Sequence, residues 1–367
     1  MKPLFHPRLV HDPFGDPGLY VSLLFERRGL LFDLGDLRPL SARMLLKTSH
    51  VFITHAHMDH FIGFDQMLRI CLGREKALHL FGPLGITDQV SHKLSGYTWN
   101  LVENYPADFH VIVTEVDEQE RKTTRFRTRS GFRREETVIA HFSEGVLVDE
   151  PGFRVRSVHL DHKIPSLGYT LEEKVHINIL KNRLEAQGLP VGPWLKELKD
   201  AILRNEPDDL PFRIWWKRDG AREGVIEECR RPLGALKREI IQIAPGQKIS
   251  YVTDVVYHSE NARRIIDLVR GSDILFIESA FLQEDADRAA EKYHLTTAQA
   301  GLLARDAGVK EVAPFHFSAK YNGEGERHFQ EVREAFKGKV SGRMNEASNR
   351  AAGADDSGPN DPLPFED

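Results

Sequence analysis

Three histidines and one aspartate occur within six residues of this chain, at His55, His57, Asp59 and His60. The apolar run 51–53 before them is typical of a buried strand, in which His55 and His57 would point the same way because side chains alternate. Asp59 and His60 are adjacent, so they face a second point only if the chain turns. Zinc accepts imidazole and carboxylate ligands. The spacing therefore predicts two neighbouring metal positions rather than a surface loop that happens to be rich in histidine.

Other histidines and carboxylates follow predicted strands further along the chain. An alternating pattern over 153–158 leads to His159 and His162, and the spacing leaves open which of them supplies a third imidazole. Asp254 ends an apolar stretch, and its carboxylate has enough lone pairs to bridge two cations. His316 ends another apolar stretch. The recurrence of these side chains at strand ends favours a metal site, with turn capping as the alternative for Asp254 and His316.

Asp33 lies within the apolar strand pattern of 30–36. A buried carboxylate costs free energy unless it is hydrogen-bonded. Asp33 could brace the histidine motif as a hydrogen-bond partner of a ligand, or it could cap a turn at the strand end. The sequence leaves both interpretations open.

The elements that must position these side chains read as alternating strands and helices with short links, which predicts a layered α/β architecture. Residues 19–25 and 30–36 form a hairpin pattern, and helical periodicity follows His60. The stretch 175–247 lies between two ligand-bearing strands and is interpreted as an inserted arm. Residues 338–367 are rich in Gly, Ser, Asn, Asp and Pro, and we expect them to be a disordered tail.

A basic segment, 121–134, places Arg125, Arg127 and Arg129 at alternate positions. An extended ribbon would align these three arginines on one face that could follow RNA phosphates. The alternative is a solvated hairpin whose charge is offset by the acidic residues that flank it. The spacing does not decide between them.

The composition limits the classes of function. The net charge is −5, so a nucleic-acid partner would have to meet a local basic surface. Two cysteines are too few for a disulfide framework, and the first residues lack the apolar core of a signal peptide. No apolar run approaches the ~18–20 residues of a membrane span. We therefore expect a cytoplasmic protein without a membrane partner.

The ordered motifs resemble those of ribonuclease Z, the tRNA 3′-processing endonuclease family of the metallo-β-lactamase-fold hydrolases. The resemblance extends from about residue 30 to residue 336. His-x-His-x-Asp-His identifies only the superfamily, whereas the later motifs are more specific. The segments that carry the resemblance are His55-Ala-His-Met-Asp-His60, His162-Lys-Ile-Pro-Ser-Leu-Gly-Tyr169, Asp254, Glu278-Ser-Ala, His294-Leu-Thr-Thr and His316-Phe-Ser-Ala-Lys-Tyr321.

The resemblance implies a four-layer αβ/βα sandwich over residues 1–337, interrupted by the arm at 175–247, which would be a tRNA-binding exosite. It also chooses His162 over His159. One zinc ion would bind His55, His57 and His162, the other Asp59, His60 and His316, with Asp254 shared; manganese or iron are alternatives to zinc. A metal-activated hydroxide would attack phosphorus, with Asp59 orienting the water and the pair Glu278 and His294 protonating the leaving oxygen.

The implied activity is removal of the 3′ trailer from precursor tRNA by a homodimer, with substrate contacts from Ser318, Lys320 and Tyr321. The chain departs from the family pattern at its N-terminus, where residues 11–17 replace the family's loop, and between Lys181 and Glu239 it carries only 13 basic against 11 acidic residues. The alternative is a hydrolase of another substrate on the same fold, such as a small phosphodiester or a thioester.

Overall fold

A computed structural model describes residues 3–24, 26–141, 145–217 and 226–342. The first part of the chain forms an eight-stranded mixed sheet whose strand order follows the chain order. Its strands are β1 (Phe5–Leu9), β2 (Leu19–Leu23), β3 (Arg28–Phe32), β4 (Thr48–Phe52), β5 (Lys76–Pro83), β6 (Phe109–Val116), β7 (Glu120–Arg127) and β8 (Val138–His141). Strands β3 to β6 are parallel, and the outer pairs are antiparallel.

The helices of this half are α1 (Ala42–Lys47), the single turn α2 (Met58–Phe61), α3 (Phe64–Cys71) and α4 (Ile86–Ser95). Apolar residues of α1, α3 and α4 pack with Val51, Leu80 and Val111 in one buried cluster on the outer face of the sheet. The predicted hairpin is present as β2 and β3.

The second part of the chain begins with β9 (Val146–Asp149), β10 (Phe153–Asp161) and β11 (Pro165–Glu173) and continues through an excursion. The excursion consists of β12 (His176–Ile179), α5 (Lys181–Ala186), α6 (Trp194–Leu203), β13 (Pro211–Lys217), β14 (Ile226–Pro232), α7 (Leu233–Ile240) and β15 (Ile241–Ala244). β12 pairs with β15, and β13 pairs with β14. These elements share their own buried cluster around the fully buried Trp194, within the range predicted for the arm.

The chain then returns to the second sheet through β16 (Lys248–Val252), α8 (Ser259–Val269), β17 (Ile274–Glu278), α9 (Ala286–Glu291), α10 (Thr297–Asp306), β18 (Glu311–Phe315), α11 (Gly325–Phe336) and β19 (Lys339–Val340). The seven-stranded order is β19-β18-β17-β16-β11-β10-β9. Of the predicted tail, 343–367 lies outside the described residues, whereas Lys339–Val340 still pairs with β18. The folded chain therefore extends beyond 337.

The two sheets pack face to face through a buried aromatic cluster. Phe32 and Phe52 of the first sheet contact Tyr169 and Tyr251 of the second, with ring centroids 5.6–5.8 Å apart. Helices α8, α10 and α11 cover the outer face of the second sheet through a further apolar cluster. The predicted four-layer αβ/βα sandwich is confirmed.

Most of the predicted ligands lie just after strands that end at the same edge of this sandwich. β10 and β16 are both antiparallel to β11, so they run in the same direction, and β17 and β18 are parallel to β16. The carboxyl ends of these strands, together with that of β4, therefore present their following residues to one crevice, where ligands of α/β proteins commonly bind.

Candidate metal centre

The first ligand cluster consists of His55, His57, His162 and Asp254, each of which offers one atom within 4.8 Å of the others. The Nε2 atoms of His55 and His162 each lie 3.6 Å from Asp254 Oδ2. His55 and His57 come from the loop after β4, His162 follows β10, and Asp254 follows β16. Three imidazoles and one carboxylate converge on one point, as predicted from the sequence together with the resemblance.

The second cluster consists of Asp59, His60 and His316. Asp59 Oδ2 lies 3.5 Å from His60 Nε2 and 3.3 Å from His316 Nε2. Asp254 reaches this cluster as well, because its Oδ2 is 3.4 Å from His60 Nε2 and its Oδ1 is 2.8 Å from His316 Nδ1. The structure thus brings all seven predicted ligands together, with Asp254 between the two clusters.

The ring nitrogens at this centre are placed to bind a cation rather than to hydrogen-bond with one another. His55 Nε2 and His60 Nε2 are buried without a hydrogen-bond partner among the described residues. Leaving such atoms unpaired costs free energy that a bound metal would offset. Nitrogen and carboxylate oxygen donors in this number suit zinc and neighbouring divalent ions. The donor set is therefore compatible with a metal site.

The electrostatics of the centre also favour bound positive charge. Burial lowers the pKa of His55 to about 2, so this imidazole is neutral and can donate a lone pair at physiological pH. At His60, burial opposes the charged form, but the carboxylates of Asp254 and Asp33 raise its pKa to about 10. The pKa of Asp254 is lowered despite its burial, because His316 and His60 surround it. The carboxylates therefore hold a site for cations.

Asp33 braces the ligand loop, which resolves the alternatives left by the sequence. Its Oδ1 accepts the backbone N–H of Thr54 at 2.7 Å, and its Oδ2 lies 3.0 Å from both His60 Nδ1 and Tyr251 OH. A histidine that donates its Nδ1 proton to a carboxylate presents Nε2 to a metal. Asp33 therefore fixes the tautomer and the orientation of His60. Thr54 and Tyr251 are parts of this network that sequence reasoning missed.

Three residues of the metal centre and its surroundings have left-handed backbone conformations at the ends of strands. The φ angles are +57° at Asp33, +46° at Asp254 and +59° at His316. Non-glycine residues adopt this region rarely, and such strain persists only where the surrounding structure maintains it. At the end of each strand the sharp turn directs the side chain of this residue towards the ligand motif. Motif spacing alone contains no signal for these angles.

His162 rather than His159 contributes to the centre. The Nδ1 atom of His162 lies 2.7 Å from the backbone oxygen of Tyr293, which orients Nε2 towards the cluster. His159 instead contacts the backbone oxygen of Val116 through its Nε2 at 3.2 Å. The role of Tyr293 had no counterpart in the sequence analysis.

The predicted acid pair is present beside the ligands. His294 Nδ1 lies 2.8 Å from Oε2 of the fully buried Glu278, whose Oε1 accepts the backbone N–H of Val255 at 2.7 Å. Glu278 and His294 also lie within 4.8 Å of ligand atoms of Asp254 and His316. Burial disfavours the imidazolium, yet Glu278 raises the pKa of His294 above its ordinary value. The ring is therefore suited to donate a proton.

The residues after His316 that were predicted to contact substrate make contacts within the protein instead. The Lys320 ammonium pairs with Asp285 at 2.6 Å, and the Tyr321 hydroxyl donates to the same carboxylate. Ser318 precedes the 3₁₀ turn 319–321 and accepts a hydrogen bond from Lys320 N. These contacts stabilise the segment that carries His316 and leave Lys320 and Tyr321 engaged with Asp285.

The three arginines of the basic segment do not form one ribbon face. β7 ends at Arg127, and Arg129 lies in a following 3₁₀ turn, so the predicted alignment is wrong at Arg129. Arg127 pairs with Glu135 at 3.2 Å, and Arg125 is exposed. Arg127 is opposite His110, at the amino end of β6, and thus lies at the edge away from the ligands. The hairpin interpretation is the better description of this segment.

The N-terminal loop that replaces the family's loop packs against the centre. Asp16 Oδ2 accepts the backbone N–H of Asp36 at 3.0 Å, and Gly35 N–H donates to Pro17 O at 3.2 Å. A Cβ at Gly35 would lie 2.7 Å from Asp59 O. The N-terminal loop therefore packs against Gly35 and Asp36, and Gly35 in turn packs against the backbone of Asp59 in the ligand motif.

Comparison with known proteins supports this architecture. A family model described as a beta-lactamase superfamily domain matches residues 239–317, which include Asp254, Glu278, His294 and His316. The crystal structure of YhfI from Bacillus subtilis, a metallo-beta-lactamase fold protein, superposes with a TM-score of 0.50 at 14% identity and covers 91% of this chain and 95% of that chain. The likeness shows the fold.

Two curated relatives give a closer match. The chain is 33% identical to "Ribonuclease Z" of Deinococcus radiodurans over 300 residues, which cover 80% of this chain and 83% of the relative. It is 28% identical to "Ribonuclease Z" of Treponema denticola over 313 residues, 82% of each. Each of the two alignments covers most of this chain and most of the relative.

Proposed function

Because the chain belongs to the ribonuclease Z family, we propose that it is a metal-dependent endoribonuclease that removes the 3′ trailer from precursor tRNA. The products would be a tRNA with a 3′ hydroxyl and a trailer with a 5′ phosphate. The observation that carries this proposal is the Glu278–His294 hydrogen bond of 2.8 Å beside two clusters of metal-ligand type. A proton donor next to metal-binding positions suits a reaction in which an alkoxide departs from phosphorus.

We propose that two zinc ions occupy the two clusters, with manganese or iron as alternatives. His55, His57 and His162 would hold one ion, Asp59, His60 and His316 the other, and Asp254 would contact both. When bound, such ions supply Lewis acidity that activates water and polarises a phosphoryl group. The unpaired buried nitrogens of His55 and His60 support this assignment.

The chain's own groups perform the proton chemistry. The Glu278 carboxylate holds the Nδ1 proton of His294, so Nε2 is the atom that would protonate the leaving 3′ oxygen. Asp59 is only part-buried and lies 3.3 Å from His316 Nε2, where its second oxygen can orient the attacking water or accept its proton. Asp33 keeps His60 oriented throughout.

We propose further that the enzyme is a cytoplasmic homodimer and that residues 175–247 contact the tRNA away from the cleavage site. Both proposals extend from the family, and the separate apolar cluster of the excursion supports its description as an arm. In the described part of the chain no helix combines the length and apolarity needed to cross a bilayer. Light scattering of the purified protein tests the homodimer.

The direct experiment is cleavage of a precursor tRNA with a 3′ trailer by the zinc-reconstituted enzyme, alongside hydrolysis of bis-p-nitrophenyl phosphate. We expect both reactions, with a single cut that leaves a 3′ hydroxyl. Replacement His294→Ala should retain bound metal and lower the rate on precursor tRNA by about 10²–10⁴-fold, the usual contribution of a general acid. His57→Ala should lose metal and activity together.

Two outcomes would contradict the proposal. Hydrolysis of the small diester without cleavage of the precursor would leave a phosphodiesterase with another substrate. A His294→Ala enzyme with the full rate on precursor tRNA would remove this residue from the role of acid.

A further inference from the structure

Lys163 and Tyr293 form a contact beside the metal centre that the proposed chemistry does not use. The Lys163 ammonium lies 5.6 Å from the centroid of the Tyr293 ring, within the range of a cation–π interaction. Lys163 directly follows the ligand His162, and Tyr293 directly precedes the acid His294. The pair therefore joins the residue after a histidine of the first cluster to the residue before the proton donor.

Both residues are held in a costly backbone conformation. Their φ angles are +63° and +61°, and neither is a glycine. At Tyr293 this conformation directs the backbone oxygen to His162 Nδ1 at 2.7 Å. At Lys163 the backbone N–H donates to Asp161 Oδ1 at 2.8 Å within a tight turn between β10 and β11. The turn thus carries an exposed lysine whose ammonium lies over the ring of Tyr293.

The charge of Lys163 remains available for a ligand. No carboxylate among the described residues lies within salt-bridge distance of its ammonium, whereas Lys320 and Arg38, two other cations near the centre, pair with Asp285 and Asp36 at 2.6 Å. A cation over an aromatic face keeps its three N–H donors. Tyr293 thus limits the motion of the ammonium without neutralising it.

We infer that Lys163 binds a phosphate of the RNA strand next to the scissile phosphate, on the 5′ side of the cut, and that Tyr293 is the residue that positions it. The inference rests on the proposed function. His294 would protonate the departing 3′ oxygen, so the nucleotide that carries this oxygen must lie beside His294. The phosphate on the 5′ side of that nucleotide can then reach the Lys163 ammonium, which lies over the ring of Tyr293, the residue before His294.

The test compares two substrates with the holoenzyme. Lys163→Ala should lower kcat/KM on a trailer-bearing precursor tRNA about tenfold more than on bis-p-nitrophenyl phosphate, which has no second phosphate. It should also reduce the slope of log kcat/KM against log salt by about 0.7, the value for one phosphate contact on a single strand. Lys163→Arg should restore most of the loss. Tyr293→Phe should resemble the parent enzyme, and Tyr293→Leu should resemble Lys163→Ala at unchanged metal content.

The matched control is Lys310→Ala. Lys310 is exposed, pairs with Asp273 at 2.6 Å, and precedes β18 at the edge away from the ligands. The Lys310→Ala substitution removes the same positive charge from the molecule and should leave both reactions unchanged.

A neutral methylphosphonate at one position of the precursor identifies the phosphate. When it replaces the phosphate on the 5′ side of the cut, Lys163→Ala should cause no further loss, because the partner is already absent. When it replaces the phosphate on the 3′ side, the loss should persist. The reverse pattern, or an equal effect of Lys163→Ala on both substrates, would overturn the inference while the parent enzyme still cleaves precursor tRNA. A parent enzyme that hydrolyses only the small diester would overturn the proposed function and the inference together.

Discussion

Asp254 is the residue on which both ligand clusters depend. Its Oδ2 lies 3.4–3.6 Å from the Nε2 atoms of His55, His60 and His162, and its Oδ1 lies 2.8 Å from His316. A carboxylate with two oxygens and several lone pairs can serve two cations, whereas a neutral imidazole has one lone pair to offer. Its left-handed backbone, with φ +46°, directs the carboxylate to this position.

The acid role of His294 predicts a specific pH dependence. The Glu278 carboxylate raises the pKa of His294 against the opposing effect of burial, so the protonated form persists to higher pH. Glu278→Gln removes this charge and should lower that pKa. Because the acid must be protonated, the alkaline limb of kcat should move to lower pH. The measurement is the pH profile of kcat on precursor tRNA.

Glu284→Gln is the control for this profile, since Glu284 is exposed and pairs with Arg327 at 2.9 Å. An alkaline limb that does not move in Glu278→Gln would show that another group determines it.

Asp33 should influence metal affinity although it is not a ligand. Asp33→Asn keeps the size of the side chain but removes the charge that accepts from His60 Nδ1 at 3.0 Å. Loss of such a partner typically lowers metal affinity by about 10–100-fold. Competition with a chelator measures this change. Asp306→Asn, on the exposed end of α10, should leave the affinity as it is; equal affinities in the two variants would contradict the bracing role.

At the scale of elements, the ligand motif is fixed by a close backbone approach between the start of α3 and the loop after β3. Gly63 N–H donates to Leu34 O at 2.8 Å, and Leu34 N–H donates to His60 O at 2.8 Å. A Cβ on Gly63 would lie 2.2 Å from Gly35 O. Only glycine allows this approach, because the obstructing atom belongs to the backbone.

Gly63→Ala should therefore separate α2 and α3 from the loop 34–37. We expect the free energy of unfolding to fall by about 1–3 kcal/mol, as for other overpacked sites, and metal affinity to fall with it. Urea unfolding of the metal-free protein and chelator competition measure the two effects. Gly152→Ala is the matched control, because its Cβ would meet Leu203 Cδ1 at an ordinary 3.6 Å. Equal stability of the two variants would contradict the close approach.

At the scale of the whole molecule, the cleavage site and the excursion are built on different apolar clusters. The cluster between the sheets supports the ligand-bearing strand ends, whereas the excursion packs around Trp194. β12 and β15 are the first and last strands of the excursion, and they pair with each other with Ile179 opposite Ile241. This arrangement allows the excursion to be changed separately from the strand ends that carry the ligands.

Replacement of residues 180–240 by a short Gly/Ser linker tests that separation. Because Ile179 and Ile241 are paired, the linker has little distance to span. We expect kcat/KM on precursor tRNA to fall much more than turnover of bis-p-nitrophenyl phosphate, and the salt dependence on the precursor to weaken. Equal losses on both substrates would show that the excursion contributes to folding rather than to RNA binding.

The sequence by itself determined the elements and most of the chemistry. Strand and helix periodicity are local properties of the chain, so β2, β3, β4, β10 and β18 could be predicted from apolar patterns. Histidines and carboxylates after such strands indicated the ligands, and the family resemblance added the choice of His162 and the pair of Glu278 with His294. The membership of this chain in the ribonuclease Z family confirms the family resemblance that the motifs indicated.

The tertiary structure alone decided which groups meet. Asp33 and Tyr251 are 218 residues apart, and only the packing of the two sheets brings them within 3.0 Å. The same packing pairs Lys320 with Asp285, and the end of β7 removes Arg129 from the predicted ribbon. Local patterns specify the direction of a side chain relative to its own element, whereas the distance between distant elements depends on how their buried faces pack.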